Sequence, residues 1–195
     1  MQNFTDLITA YAWTKDDDRR RQIGANIWER YGVERTVLVI DLAGFSRQAI
    51  GDEGLLIFLA VIRRMQAAAR PIVLMNGGEV VKMEADNCFA VFETASDASR
   101  AAVEIVAACR AIRELEGMAI EPCCGLESGR ILYLKERDFF GEAVNRASRL
   151  GEDVAGPSEV LVGAAARATL ERDGWTIEDI DSRNAPAGAG RIPIR

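Results

Sequence analysis

Two aspartates raise the first chemical question. Asp41 closes the apolar run VLVID and is followed by LAGFS, and Asp86 sits within VKMEADNCFAVF. Each alone has a structural explanation, since an Asp after a strand starts a turn or caps a helix and Asp-Asn suits a tight turn. Brought together at one sheet edge, however, two carboxylates repel unless cations lie between them, and hard oxygen ligands select magnesium or manganese. Ala43, Gly44 and Phe45 follow Asp41; Gly44 permits a tight turn whose N–H groups can face phosphate oxygens where the next helix opens. Lys82 precedes Asp86 by four residues. Asn145 and Arg149 are spaced to share one helix face while Ala143, Ala147 and Leu150 turn to the core, and Asn is a poor helix residue unless something uses its amide. The chain contains no histidine. Ser-His-Asp and Cys-His nucleophiles and His-ligated zinc are thereby excluded, leaving carboxylates, Lys, Arg, Asn and bound metal.

The elements that must position these residues follow from periodicity. TVLVID is a buried β-branched strand, and residues 47–70 carry Leu55, Phe58, Leu59, Ile62 and Met65 at helical spacing, ending before Pro71. NGGEVVKMEADNCFAVFE is a hairpin whose first arm alternates Val81, Met83 and Ala85 with Lys82, Glu84 and Asp86, turning at Asp86-Asn87. Residues 96–116 form a long helix that Thr94 or Ser96 can cap. IEPCCGLESG and ILYL are strands, FFGEAVNRASRLGED is a loop entering a helix, and EVLV, a helix from about Ala164 and an extended tail from Trp175 complete the chain. Strand, helix, strand, strand, helix, strand is the split βαβ order, an α+β ferredoxin-like (palm-type) antiparallel sheet with helices on one face. In it the end of the first strand lies beside the hairpin turn, so Asp41 neighbours Asp86.

The 195 residues suit one compact domain, which we divide into an N-terminal helical segment, 1–35, and a catalytic domain, 36–195. The run KDDDRRR in the first segment reads as a solvated face or turn. Hydrophobic residues make up 49% and the net charge is −6, so a core is affordable and no basic footprint for nucleic acid or anionic membrane exists. No apolar run is long enough to span a bilayer, and the N-terminus lacks the order of a signal peptide, so a cytoplasmic location is expected. The four cysteines show no CxxC spacing and read as reduced packing residues.

DLAGFS, VKMEADNCFAVF and DFFGEAVNRASRLGEDVAGPSEVLV together resemble the class III nucleotide cyclases over about Thr36 to Leu170. The resemblance implies that Asp41 and Asp86, with the Leu42 carbonyl, hold two Mg²⁺ or Mn²⁺ ions. It also implies that Lys82 and Asp138 read the base edge, Asn145 orients the ribose and Arg149 stabilises charge on the α-phosphate. The family works as a head-to-tail homodimer, one chain supplying the aspartates and the other the base, ribose and phosphate contacts. The expected activity is conversion of a nucleoside triphosphate to a 3′,5′-cyclic nucleotide and pyrophosphate.

Lys82 with Asp138 is the pairing of adenylate cyclases, implying cyclic AMP from ATP. Two departures argue otherwise: Glu84-Ala85 stands where Ile or Thr and Gly are usual, and CGLESG replaces GIHTG. A shortened pocket and the absence of a recognisable sensor segment make the chain similar to stand-alone bacterial antiphage pyrimidine cyclases, which form cyclic UMP or cyclic CMP for a separate effector. The expectation is therefore a pyrimidine substrate, with ATP as the alternative. Arg183, Arg191 and Arg195 are the tail residues available to the terminal phosphates. A diguanylate cyclase is excluded by a turn reading EADNC rather than GGDEF, and an inactive nucleotide-binding or dimerisation module predicts decay at positions that are all present.

Overall fold

The computed structural model describes residues 3–43, 51–135, 137–180 and 185–194. Two helices, α1 (Phe4–Trp13) and α2 (Asp17–Tyr31), precede the sheet. Asn3 and Asp6 form a capping box on α1, and Asp16 caps α2, so the acidic half of the charge run is helix-start chemistry with Asp17 and Asp18 in the first turn. The sheet then begins with β1 (Gly32–Leu42), four residues earlier than the apolar pattern suggests.

The elements that follow are α3 (Gly51–Met75), β2 (Glu79–Glu84), β3 (Asn87–Phe92), α4 (Ala95–Glu116), β4 (Pro122–Leu134), β5 (Asp138–Phe140), α5 (Glu142–Ser148), β6 (Val160–Val162), α6 (Ala164–Arg172), β7 (Glu178–Asp179) and β8 (Gly190–Ile192). A π-helical turn, Arg149–Val154, continues α5. The sheet order is β2-β3-β1-β4-β6-β8-β7, with β5 paired to β4. β3 lies antiparallel between β1 and β2, as the split βαβ order requires, while the β4–β6 pair is parallel and makes the sheet mixed. IEPCCGLESG and ILYL are one continuous strand, β4.

The two faces of β1 divide the core. Leu38, Ile40 and Leu42 pack with α3, α4 and α6, whereas Val37 and Val39 pack with Val81, Phe89, Phe139 and the α5 alanines, Ala143 and Ala147. Asp41 follows the alternation of Val37 and Val39 and so belongs to the α5 face.

Four expectations change. α3 runs through Pro71 to Met75, because Ile72 and Val73 are buried and tertiary packing holds the last turn despite the missing N–H. Phe58, Ile62 and Met65 are buried as expected, but Leu55 and Leu59 are exposed. A β-bulge between Val80 and Lys82 breaks the alternation of β2, so Val81 packs on the α5 face and Met83 on the opposite face. The turn itself is Ala85-Asp86, with Ala85 at φ 50°.

Candidate active site

The carboxylate end of the site forms where β1 stops. Asp41 pairs in register with Cys123 of β4, and the strand pairing is carried one step further by Ala43, whose N–H donates to the Glu121 carbonyl at 2.9 Å. That N–H is therefore used within the sheet rather than turned toward a phosphate. Gly44 and Phe45 lie outside the described residues. Asp41 is partly buried and its pKa is raised to about 6, first by burial and then by the neighbouring Asp86 carboxylate, while the Leu42 N–H hydrogen bond opposes the rise. Asp86 is close enough to share a hydrogen bond with Asp41, so the hairpin does bring the two together.

Among the described residues the charged groups acting on Asp41 are both carboxylates, Asp86 and Glu152. Glu152 has its own pKa raised by burial and by Asp153 and Asp86, against a hydrogen bond from Ser148. Its approach to the aspartates depends on the π-helical turn, which no sequence pattern announces. Beside Asp86, the Asn87 side-chain oxygen is buried without a hydrogen-bond partner. Among the described residues no group of three or more His, Cys, Asp or Glu side chains could hold a metal on its own. The donors are thus two aspartates and nearby hard oxygens, the chemistry that Mg²⁺ or Mn²⁺ accepts with substrate phosphates completing its shell.

The π-helical turn is seated by two glycines. A Cβ on Gly125 would stand 2.2 Å from the Ala147 carbonyl oxygen and 2.4 Å from the Gly151 nitrogen, so backbone lies directly on backbone here. Ala147 and Leu150 lie at this contact and, with Ala143, are buried, while Asn145 and Arg149 face outward, exposed.

The second cluster surrounds Lys82. The β4–β5 hairpin folds over the α5 face of the sheet until Tyr133 Oη donates to Glu79 at 3.2 Å and Phe139 meets Phe89 edge-on at 5.9 Å. Asp138 arrives with it, 3.2 Å from Lys82 Nζ, and Glu84 stands 3.5 Å from the same nitrogen. The ammonium also lies 5.3 Å from the centre of the Phe89 ring. Burial lowers the Lys82 pKa, but Asp138 and Glu84 outweigh it and the net direction is upward, so Lys82 remains a cation. Among the described residues no ion pair or charge interaction joins this cluster to Asp41 and Asp86.

Two other expected contributions fall elsewhere. Glu127 of CGLESG is buried beneath α6, accepting from Ser128 N at 2.9 Å and Ala166 N at 3.0 Å, so its carboxylate does not shorten a pocket at Lys82. Arg191 is held between Glu159 at 2.9 Å and Glu178 at 3.0 Å, which leaves the terminal-phosphate role without support from this residue; Arg183 and Arg195 lie outside the described residues. All four cysteines are buried and free, and burial raises the Cys88 and Cys123 thiols to about 12, consistent with packing roles.

No family model matches the chain, and no curated protein matches it. Solved structures do. An adenylate/guanylate cyclase/hydrolase from Silicibacter pomeroyi is 28% identical at a TM-score of 0.61, covering 82% of this chain and 94% of that one. The guanylate cyclase domain of RhGC from Catenaria anguillulae, solved with GTP, gives a TM-score of 0.68 at 15% identity, covering 83% and 97%. The adenylyl cyclase CyaB from P. aeruginosa gives 0.63 at 18%, covering 84% and 96%. The chain has the fold of the class III cyclase catalytic domain. No helix among the described residues is long and apolar enough to cross a membrane.

Proposed function

We propose that the protein is a metal-dependent nucleotide cyclase whose active sites are completed between two copies of the chain. The observation that carries this reading is the Asp41–Asp86 pair, two carboxylates in contact at a rigid strand end where, among the described residues, the charged groups acting on Asp41 are carboxylates. Asp41 and Asp86, with the Leu42 carbonyl, would hold two Mg²⁺ or Mn²⁺ ions. Held there, such ions would supply a lowered pKa for the substrate 3′-hydroxyl and neutralisation of the departing pyrophosphate. The 3′-oxygen forms a bond to the α-phosphorus as the bond to the β-phosphate breaks. Arg149 supplies a fixed charge to the α-phosphate as that exchange occurs. Asn145, one helical turn earlier on the same exposed face, holds the ribose. Lys82 donates to the base and Asp138 accepts from it.

The separation of the two clusters within one chain supports a head-to-tail homodimer, in which the aspartates of one copy meet Lys82, Asp138, Asn145 and Arg149 of the other. The intact Lys82–Asp138 pair, at 3.2 Å, favours ATP as substrate and cyclic AMP as product. A second reading, UTP or CTP with a cyclic pyrimidine product serving antiphage defence, draws on Ala85, a methyl-bearing residue held left-handed at the hairpin tip. In either case a separate effector would read the product. The test is pyrophosphate release and product identification with ATP, GTP, CTP and UTP in manganese. One cyclic nucleotide from the parent and none from Asp41→Ala is expected, whereas equal turnover by the variant would refute the metal assignment.

A further inference from the structure

We propose that Asn87 is a further residue of the metal site, whose side-chain oxygen accepts a hydrogen bond from water bound to the ion that Asp41 and Asp86 hold. The inference rests on the cyclase reading and adds one side chain to its metal site. The strand register brings Asn87 there. Ile40 pairs with Cys88 across β1 and β3, so the next step along both strands sets Asp41 beside Asn87. Ile40 and Cys88 pack on the α3 face, and Val39 and Phe89 on the α5 face; alternation therefore returns Asp41 and Asn87 to the α5 face. Opposed residues on one face of an antiparallel pair have Cβ atoms about 5 Å apart. The hairpin side is fixed as well: Asn87 pairs with Glu84, and the turn carbonyl of Ala85 accepts from the Gln66 side chain of α3 at 3.2 Å.

Asn87 Oδ1 is buried and, among the described residues, has no hydrogen-bond partner. Folded proteins rarely leave such an atom unpaired, because it gives up hydration without return, and a bound water or ion is the usual explanation. The neighbours narrow the choice. An amide oxygen only accepts, and ionised Asp41 and Asp86 only accept too, so the carboxylates cannot satisfy Asn87 in the form that binds metal. A hydrated divalent ion supplies the donor. Mg²⁺ keeps several waters when one or two carboxylates bind it, Mn²⁺ takes the same oxygen ligands, and water on a cation donates more strongly. Asn87 accepts from it without adding charge to a site that already gathers carboxylates. Outer partners of this kind orient what the ion binds and set how tightly it is held.

The experiment titrates Mn²⁺ into the nucleotide-free protein and follows the free ion by electron paramagnetic resonance, with thermal melting of the metal-free chains alongside. The variants are Asn87→Leu, which keeps the branching of the side chain and deletes its oxygen, Asn87→Ala and Asn87→Asp. Among the described non-glycine residues only Ala85 and Ser158 have positive φ, so the Asn87 backbone accepts each of them. Without metal, Asn87→Leu should melt no lower than the parent, since it removes a buried polar atom that lacks a partner. It should nevertheless bind Mn²⁺ about tenfold more weakly, as should Asn87→Ala, while Asn87→Asp retains the oxygen and the affinity. A role in the fold alone gives the reverse pattern, lower melting with Mn²⁺ affinity intact. Parent-like Mn²⁺ affinity in both Asn87→Leu and Asn87→Ala overturns the role of Asn87, and loss of Mn²⁺ binding in Asp41→Asn leaves the metal assignment standing beside that result. A parent that takes up no Mn²⁺ overturns the metal reading on which the inference rests.

Discussion

The two clusters on the α5 face both gather carboxylates, one around a lysine and one without, and reach opposite electrostatic states. Around Lys82, two carboxylates share one ammonium, and the net effect of those charges is to stabilise the cation. At the end of β1, Asp41, Asp86 and Glu152 oppose one another, and Asp41 responds by holding its proton to about pH 6. The first cluster is complete within one chain. Under the proposed reading the first cluster reads a ligand, and the second, once joined by cations, performs chemistry on it.

The largest effect that would break this comparison is removal of an aspartate. Asp41→Asn and Asp86→Asn should each reduce cyclase turnover by about 10³-fold or more, as expected where charge develops in the transition state, and should abolish the increase in Tm on adding Mn²⁺. Arg149→Ala is expected to cost about 10³-fold in kcat with KM little changed, because its charge acts at the transition state; a change confined to KM would assign it to ground-state binding. At the reading cluster the loss is smaller and of another kind. Lys82→Ala should raise KM and lower kcat/KM by about 10- to 100-fold, corresponding to one charged contact, with Mn²⁺ stabilisation retained. Gly125→Ala should lower stability by about 3 kcal/mol in chemical denaturation, through overpacking against Ala147 and Gly151, and should depress activity as Arg149 shifts.

The smallest effect is the pH dependence of the metal-free protein. Asp41 binds its proton more tightly folded than unfolded, so between pH 3.8 and about 6 the unfolded chain carries fewer protons and stability falls as pH rises. Denaturant titrations across that window should show the decline, and Asp41→Asn should flatten it. Mn²⁺ should reverse the trend above pH 6, since it binds the deprotonated carboxylate.

Much of this contrast is legible in the sequence, and for identifiable reasons. VLVID marks a rigid strand end, and the split βαβ order alone places Asp41 beside the hairpin of Asp86. The i, i+4 spacing puts Asn145 and Arg149 outward and the alanines inward, as observed. What was not legible depends on backbone irregularity and distant packing. The bulge at Val80–Lys82 carries no composition signal, yet it separates Val81 from Met83 and sets the face on which Lys82 stands. The π-helical turn that brings Glu152 toward the aspartates requires the Gly125–Gly151 contact, made between residues of different elements. Glu127 drew notice because CGLESG departs from the family's usual motif; its burial beneath α6 depends on where that helix begins.

The shared site is tested most directly by mixing two inactive chains, Asp86→Ala and Arg149→Ala, and measuring cyclic nucleotide formation. Each variant alone carries one defect in every site, whereas a mixed head-to-tail dimer contains one site with both defects and one with neither. With shared sites, activity returns on mixing and rises with equilibration of the dimers. A mixture as inactive as its components, beside an active parent, would contradict it.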